Sequence, residues 1–412
     1  MRKWLLAGFC LIPAAVWGQP LPDGKWDPYN RARLNALVEQ VGRSNPDYSE
    51  HHPPYAVLDW DNTSIFLDVQ EATITYQLTH LCFAAMPQQL DQAIRTGVPA
   101  QPFAPAFNND AGHSVDIGAL AADIGVSYSW LYHHYQGLAG KESFEEVQRS
   151  PHYSNFTVKM RYLYDAIDGT FHTPVSHPWL TYFFVGMTRD QVQALTRQAV
   201  RAELSSRIGK VIWYSPEELP GRAGVVSVTF RRGLRLVPEM QQLYAVLLRN
   251  GIEPWVCSAS FVDVVEEMAG NPEFGYNLPP GRVLALELER DTEGKILAQP
   301  RAGFEQTFGS GKTLAIRRRL VSRYGYDPVL LAGDSQGDEN MLVDFTGLKL
   351  GLIFNLWRSP DKLIGGLSRR AVAEHGKAGA VYLLQGRDDN NGCLWPGQGR
   401  IPLRGYESKV FP

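Results

Sequence analysis

From Leu234 onward, short apolar runs alternate with stretches whose apolar residues recur at helical spacing. The spacing over 237–249 predicts an amphipathic helix ended by Asn250-Gly251. Residues 252–257 read as a strand, and Ser260 as the N-cap of a helix over 261–268. Runs at 283–288 and 295–299 flank Asp291-Thr-Glu-Gly294, the signature of a hairpin. A helix over 310–323, a buried strand over 329–332, a helix over 339–345 and a strand over 350–354 follow. Strands alternating with helices predict an α/β fold, a Rossmann-like parallel sheet that takes its ligands at the strands' C-terminal ends.

The N-terminal half has a different texture. Leu34, Leu37, Val38 and Val41 predict a helix over 30–43, and a polar, Pro-rich loop leads to a short buried strand over 55–59. From about 70 to 232 the chain is aromatic-rich and helical in pattern, clearest over 71–86 and 189–205. The expected organisation is a sheet-forming core from 19–70 and 232–386, with an inserted, mostly helical cap over 71–231. The Gly- and Pro-rich tail, 387–412, is expected to be irregular and packed on the surface.

Ahead of all this, Arg2 and Lys3 precede an apolar run over 4–17, with Val16 and Gly18 as small residues before a cleavage point. That is the pattern of a signal peptide over 1–18, too short to span a bilayer comfortably, and it predicts a periplasmic or secreted bacterial protein. No later segment is long and apolar enough for a membrane span. Cys82, Cys257 and Cys393 match no zinc or redox spacing and allow one internal disulfide at most. The net charge of −3 argues against nucleic acid as a partner. Asn62-Thr63-Ser64 spells a glycosylation acceptor, but a glycan there would sit on the chemistry described next.

Four segments carry reactive groups. In Leu58-Asp59-Trp60-Asp61-Asn62-Thr63, two carboxylates end a buried strand, where unpaired charges would be costly. Opening into a polar loop, they could share a divalent cation while one attacks an electrophile. In Gly333-Asp334-Ser335-Gln336-Gly337-Asp338, a second strand ends in acids, and Asp334 could complete the all-oxygen shell that a hard cation such as Mg²⁺ requires. Cys257-Ser258-Ala259-Ser260 offers a hydroxyl and backbone N–H groups to an anion. Lys312 opens a helix, where the dipole disfavours a cation, so an anionic group is expected beside it. Its Gly-Ser-Gly-Lys-Thr context is not a Walker P-loop, because Gln306 stands where that motif needs glycine.

In order and spacing these four segments resemble the haloacid-dehalogenase superfamily of phosphatases, across roughly 52–70 and 232–385. Ser258-Ala259-Ser260-Phe261 is most similar to the phosphoserine phosphatase and bacterial phosphorylcholine phosphatase subgroup. The resemblance implies Asp59 as nucleophile and Asp61 as general acid/base, with Thr63 supporting the loop. It implies Ser258, Ala259 and Lys312 on the phosphoryl group, and Asp338 orienting Lys312. Mg²⁺ would be held by Asp59, Asp334 and the Asp61 carbonyl. Since attack on carbon needs neither the second aspartate nor a metal, Asp61 and Asp334 favour phosphate. Glu71, 12 residues after the nucleophile, falls where phosphorylcholine phosphatases carry a glutamate that helps hold the choline cation. With Trp60, Trp130, Tyr132, Tyr162, Tyr164 and Trp179 it suggests recognition of an amine-bearing phosphomonoester, phosphorylcholine, phosphoserine or similar.

Two other classes stay open at this point. Gly333-Asp-Ser335-Gln-Gly337 also fits a G-x-S-x-G serine nucleophile elbow, with Asp361 and His375 following in triad order. A non-catalytic, periplasmic solute-binding protein would suit the aromatic middle region but leave the reactive segments without a role.

Overall fold

Strand β1 (Tyr55–Leu58) is buried along its whole length, and its alternate residues feed two different cores. Ala56 and Leu58 pack toward one face, Tyr55 and Val57 toward the other, as the two-residue period of a strand requires. The same alternation holds in β4 (Leu330–Gly333), where Leu330 and Ala332 oppose Leu331. In the computed structural model, which describes residues 20–412, such doubly buried strands form an eight-stranded sheet. The expected signal peptide lies outside the described residues.

The remaining strands are β2 (Glu253–Phe261), β3 (Val283–Leu286), β5 (Leu350–Phe354), β6 (Tyr382–Asp388), β7 (Cys393–Trp395) and β8 (Arg400–Ile401). Six of the eight strands lie parallel in the order β3-β2-β1-β4-β5-β6. The order turns back between β1 and β4, and in open α/β sheets that switch point is where a crevice forms at the strands' C-terminal ends. Asp59 and Asp334 are the residues that immediately follow those two strands. The α/β parallel-sheet fold class is thus observed.

Between β1 and β2 the chain makes helices at Val69–His80, Pro87–Arg95, Ile117–His134, Phe144–Gln148, Pro151–Phe171, Thr173–Thr181 and Arg189–Ser205. The helix expected over 71–86 stops at His80, because Leu81 turns left-handed (φ 52°) and Cys82 N–H closes on Gln77 O at 3.0 Å. An antiparallel hairpin, Gly209–Tyr214 with Ser227–Arg232, was not anticipated. β2 runs four residues past the predicted 257, so the following helix, Val262–Gly270, starts later and Ser260 does not cap it.

The segment from Arg387, expected to be irregular, instead finishes the sheet. β7 pairs antiparallel with β6, and β8 pairs parallel with it. Arg387 and Asp389 are buried there as ionic partners, 2.9 Å apart. All three described cysteines are free thiols.

Candidate active site

Asp59 continues the ladder one step beyond β1, its N–H donating to Ala332 O on β4 at 2.9 Å. Trp60 then turns into the core, edge-on to Tyr276 and Tyr244 with ring centroids 4.9 and 6.4 Å away. With Trp60 pointing inward, its two aspartate neighbours fall on the crevice side. The loop is closed by Ser64 N–H to Trp60 O (2.8 Å), Ser64 Oγ to Asp59 O (2.6 Å) and Asn62 N–H to Leu67 O (3.0 Å). Asn62 adopts the left-handed φ of 57° that asparagine tolerates better than most residues.

Lys312, fully enclosed, bridges two acids: Nζ lies 2.5 Å from Asp59 Oδ1 and 2.6 Å from Asp338 Oδ1. The anionic neighbour expected from its sequence position is therefore a pair of aspartates. The Thr63 hydroxyl lies 3.1 Å from both Asp59 Oδ2 and Asp334 Oδ1. A hydroxyl has one proton to donate, so these two carboxylate oxygens converge without a full complement of donors. Asp338 is differently placed. Its Oδ2 accepts from Asp334 N–H (3.0 Å), Ser335 N–H (2.9 Å) and Ser335 Oγ (3.0 Å), so both of its oxygens are already engaged. Gly333 is required by this packing, since a Cβ there would come within 2.4 Å of Asp338 Cβ.

Carboxylate oxygens of Asp59, Asp334 and Asp338 lie within 4.8 Å of one another. With Asp338 committed to Lys312 and its own loop, Asp59 and Asp334 are the side chains best able to ligate a cation. Burial raises the Asp59 carboxyl well above its usual range, and the Asp338 charge adds to that against the pull of Lys312. Burial also raises Asp334, opposed chiefly by Arg358. Burial alone would lower the Lys312 pKa, but Asp338 and Asp59 outweigh it and the net shift is upward.

Asp61 faces other partners. Its Oδ1 accepts from Val69 N–H at 2.7 Å, and its Oδ2 from Ser260 Oγ at 2.7 Å, with Ser258 Oγ at 3.5 Å. Burial pushes its carboxyl up to about 7, against the downward pull of Ser260 and Val69. Ser258 Oγ accepts from Ser260 N–H at 3.1 Å, and Ala259 lines the cavity beside it.

Asp59, Asp61, Ala259, Ser260, Lys312 and Asp334 line a cavity of about 470 Å³, with Thr63, Ser258 and Asp338 buried behind them. One helical face, on Pro151–Phe171, reaches its far side through Tyr164 and Asp168, four residues apart. Tyr164 and Asp168 line the cavity directly, with Thr173 and His177 from the next helix. Glu71 also lines it, but its carboxylate is paired with Arg161 NH2 at 3.0 Å and lies 3.4 Å from the Tyr164 hydroxyl. Of the aromatic residues singled out in the sequence, only Tyr164 lines this cavity. Trp60 and Trp179 are core, Trp130 stacks on His134 and His152, and the Tyr162 hydroxyl bonds Phe107 O.

The serine-elbow arrangement is not assembled. Ser335 Oγ is tied to Asp338, whereas His375 Nε2 bonds Asp27 Oδ1 at 3.1 Å and Asp361 bonds Ser359. Two positions that touch the site's carboxylates went unread in the sequence. Ser260, taken for a cap, holds Asp61. Arg358 grips Asp334 twice, Nε to the backbone O and NH2 to Oδ2, both at 2.9 Å. It follows a buried strand at its C-terminal end, the same signal that identified Asp334.

No model of a known protein family matches the chain. It is similar to the curated phosphorylcholine phosphatase of Pseudomonas aeruginosa, 22% identical over 406 residues that cover 92% of this chain and 94% of that one. It is also similar to the crystal structure of a conserved, functionally unknown protein from Anaerococcus prevotii. That protein is 30% identical, with a TM-score of 0.86 over 93% of this chain and 98% of the other. With these relatives and this arrangement of four segments around one crevice, the chain belongs to the haloacid-dehalogenase superfamily, as one of its phosphatases.

Proposed function

We propose that the chain is a Mg²⁺-dependent phosphomonoester hydrolase working through an aspartyl-phosphate on Asp59, with a small molecule as substrate. The observation that carries this reading is the division of partners: Lys312 holds Asp59 in the crevice with Asp334 alongside, while Val69 and Ser260 hold Asp61 separately. In-line attack by Asp59 forms the acyl-phosphate bond as the bond from phosphorus to the leaving oxygen breaks. Lys312 and the Ser258 hydroxyl offset the charge spread over the equatorial oxygens. Asp61 gives a proton to the leaving alcohol, then takes one from the water that hydrolyses the acyl phosphate, restoring Asp59 and releasing inorganic phosphate.

The donor set fits a divalent cation. Asp59, Asp334 and Asp338 meet Lys312 and Arg358, three carboxylates against two cations, which leaves one negative charge to balance. Oxygen-only ligands, Asp59, Asp334 and the Asp61 carbonyl, suit Mg²⁺. The ion when bound supplies Lewis-acid polarisation of the phosphoryl oxygens. Chelation should abolish p-nitrophenyl phosphate hydrolysis and added Mg²⁺ restore it. Full activity in a metal-free preparation would overturn the metal assignment.

An amine-bearing alcohol has in its favour that the Pseudomonas relative is a phosphorylcholine phosphatase. Against Glu71 as its receptor stands the Arg161 contact, which leaves a small phosphomonoester as the substrate class. Among the described residues no helix is long and apolar enough to cross a membrane. Export to the periplasm or medium rests on the sequence of 1–18 alone. A mature N-terminus at Gln19 in the exported fraction checks it, and retention of Met1 would refute it.

A further inference from the structure

We propose that a second cavity beside the catalytic one seats an anionic group on the alcohol end of the substrate, a carboxylate or a second phosphate. This rests on the phosphatase reading above and names the esters such an enzyme prefers. The cavity measures about 400 Å³ and shares Asn62, Asp68, Glu71 and Arg358 with the catalytic cavity as common wall. Its lining includes five arginines: Arg161, Arg231, Arg232, Arg358 and Arg400.

Three of them have acids of their own. Arg232 pairs with Glu203, Arg358 with Asp334, and Arg161 with both Glu71 and Asp165. Arg231 and Arg400 do not. They share one carboxylate, Asp389, with a third guanidinium, Arg387, at 3.4, 2.6 and 2.9 Å respectively. Asp389 is fully enclosed, and a single negative charge cannot balance three positive ones. Arg231 is held most loosely: its contact is the longest, and its Nε is buried without a hydrogen-bond partner. Arginine clusters with spare positive charge are what carboxylate and phosphate groups bind, through paired, charge-assisted hydrogen bonds.

The opposite preference, for an ammonium, has its seat already filled. The Arg161 guanidinium lies 4.9 Å from the Tyr164 ring and 4.7 Å from the Phe230 ring, with Glu71 on its NH2. Aromatic faces plus a carboxylate are what a ligand cation would need, and here the protein's own cation occupies them.

The test is a panel of glycerol phosphate, phosphorylcholine, phosphoglycerate and propanediol bisphosphate, assayed with wild type, Arg231→Gln and Arg231→Lys. The readout is the kcat/KM of each anion-bearing ester relative to glycerol phosphate. In wild type that ratio should be about tenfold or more, the usual effect of a hydrogen bond to a charged group. It should fall toward unity in Arg231→Gln and recover in part in Arg231→Lys. A ratio near unity in wild type, or phosphorylcholine as best substrate with Arg231→Gln leaving the ranking unchanged, overturns the subsite while the phosphatase reading stands. Failure to hydrolyse any ester would sink the phosphatase reading itself. If the wild-type ratio is flat but inorganic phosphate inhibits non-competitively, and Arg231→Gln abolishes that inhibition, the seat takes a free anion and the substrate proposal is wrong. Should Arg231→Gln misfold, wild type alone decides, because an electrostatic preference must shrink as salt is raised.

Discussion

Asp59 and Asp61 are two residues apart, yet one is bonded to a lysine in the crevice and the other to a hydroxyl and a backbone amide beside it. That separation predicts unequal consequences for the two amide variants. Asp59→Asn keeps the shape but removes the nucleophilic oxygen, so turnover and trapped acyl phosphate should both disappear. Asp61→Asn keeps the nucleophile and removes the proton carrier, so both steps should slow by about 10²–10⁴-fold while a phosphate analogue still binds. Rapid quenching for protein-bound phosphate tells the two apart, and equal, modest losses in both variants would contradict the roles assigned. Arg358 also acts through Asp334, fixing one carboxylate oxygen at 2.9 Å and leaving the other toward Thr63. Arg358→Gln should therefore raise the Mg²⁺ concentration needed for half-maximal activity more than it alters KM at saturating metal. An unchanged metal requirement would show that Arg358 does not position Asp334.

The helix Pro151–Phe171 carries its charged side chains in two directions, and the buried one is the easier to test. Lys159, fully enclosed, donates to Asp123 Oδ2 and to Pro220 O, each at 2.7 Å. The Asp123 carboxylate also accepts from the backbone N–H groups of Arg222 and Ala223, at 2.7 and 2.9 Å. One ion pair thus pins two helices to the loop before the strand Ser227–Arg232. Lys159→Met strands Asp123 as a buried charge and should cost about 3–5 kcal/mol in urea denaturation. A loss below about 1 kcal/mol would mean that water reaches the pair. None of this was legible in the sequence, because the partners lie 36 and 61 residues apart. The readable elements were those whose pattern is local: apolar runs ending in acids, and the 3.6-residue spacing of Arg189–Ser205. The unread ones depend on distant pairing. β7 and β8 are three and two residues long and exist because β6 offers them an edge. The buried charges of Arg387 and Asp389 read as surface until Arg231 and Arg400 close around them. Ser260 was misassigned for a related reason: β2 overruns its apolar stretch to bring that hydroxyl onto Asp61.

The helical insertion has no core of its own. A single apolar cluster runs from Leu58 and Trp60 at the crevice, through Val264 and Met268 beside the sheet, into Leu120, Tyr128 and Phe156 of the insertion. Phe184 from the insertion stacks on Phe261 at the end of β2, with centroids 5.4 Å apart. Outside this apolar seam, Arg189, Arg197 and Arg201 reach Glu266, Glu267 and Glu273 at 2.6 to 2.7 Å. The arginines of these pairs are exposed to solvent, so the pairs add little by themselves and the shared apolar surface is the main tie. Swinging the insertion away as a rigid lid would expose that surface at roughly 25 cal/mol per Å², a large cost for each turnover. The same continuity predicts how the protein unfolds. In increasing urea, amides of Pro151–Phe171 and of β1 should exchange with hydrogen isotopes at a common opening free energy, as one cooperative unit. If the helix amides open well below those of β1, the insertion is an independent unit and lid motion is affordable after all.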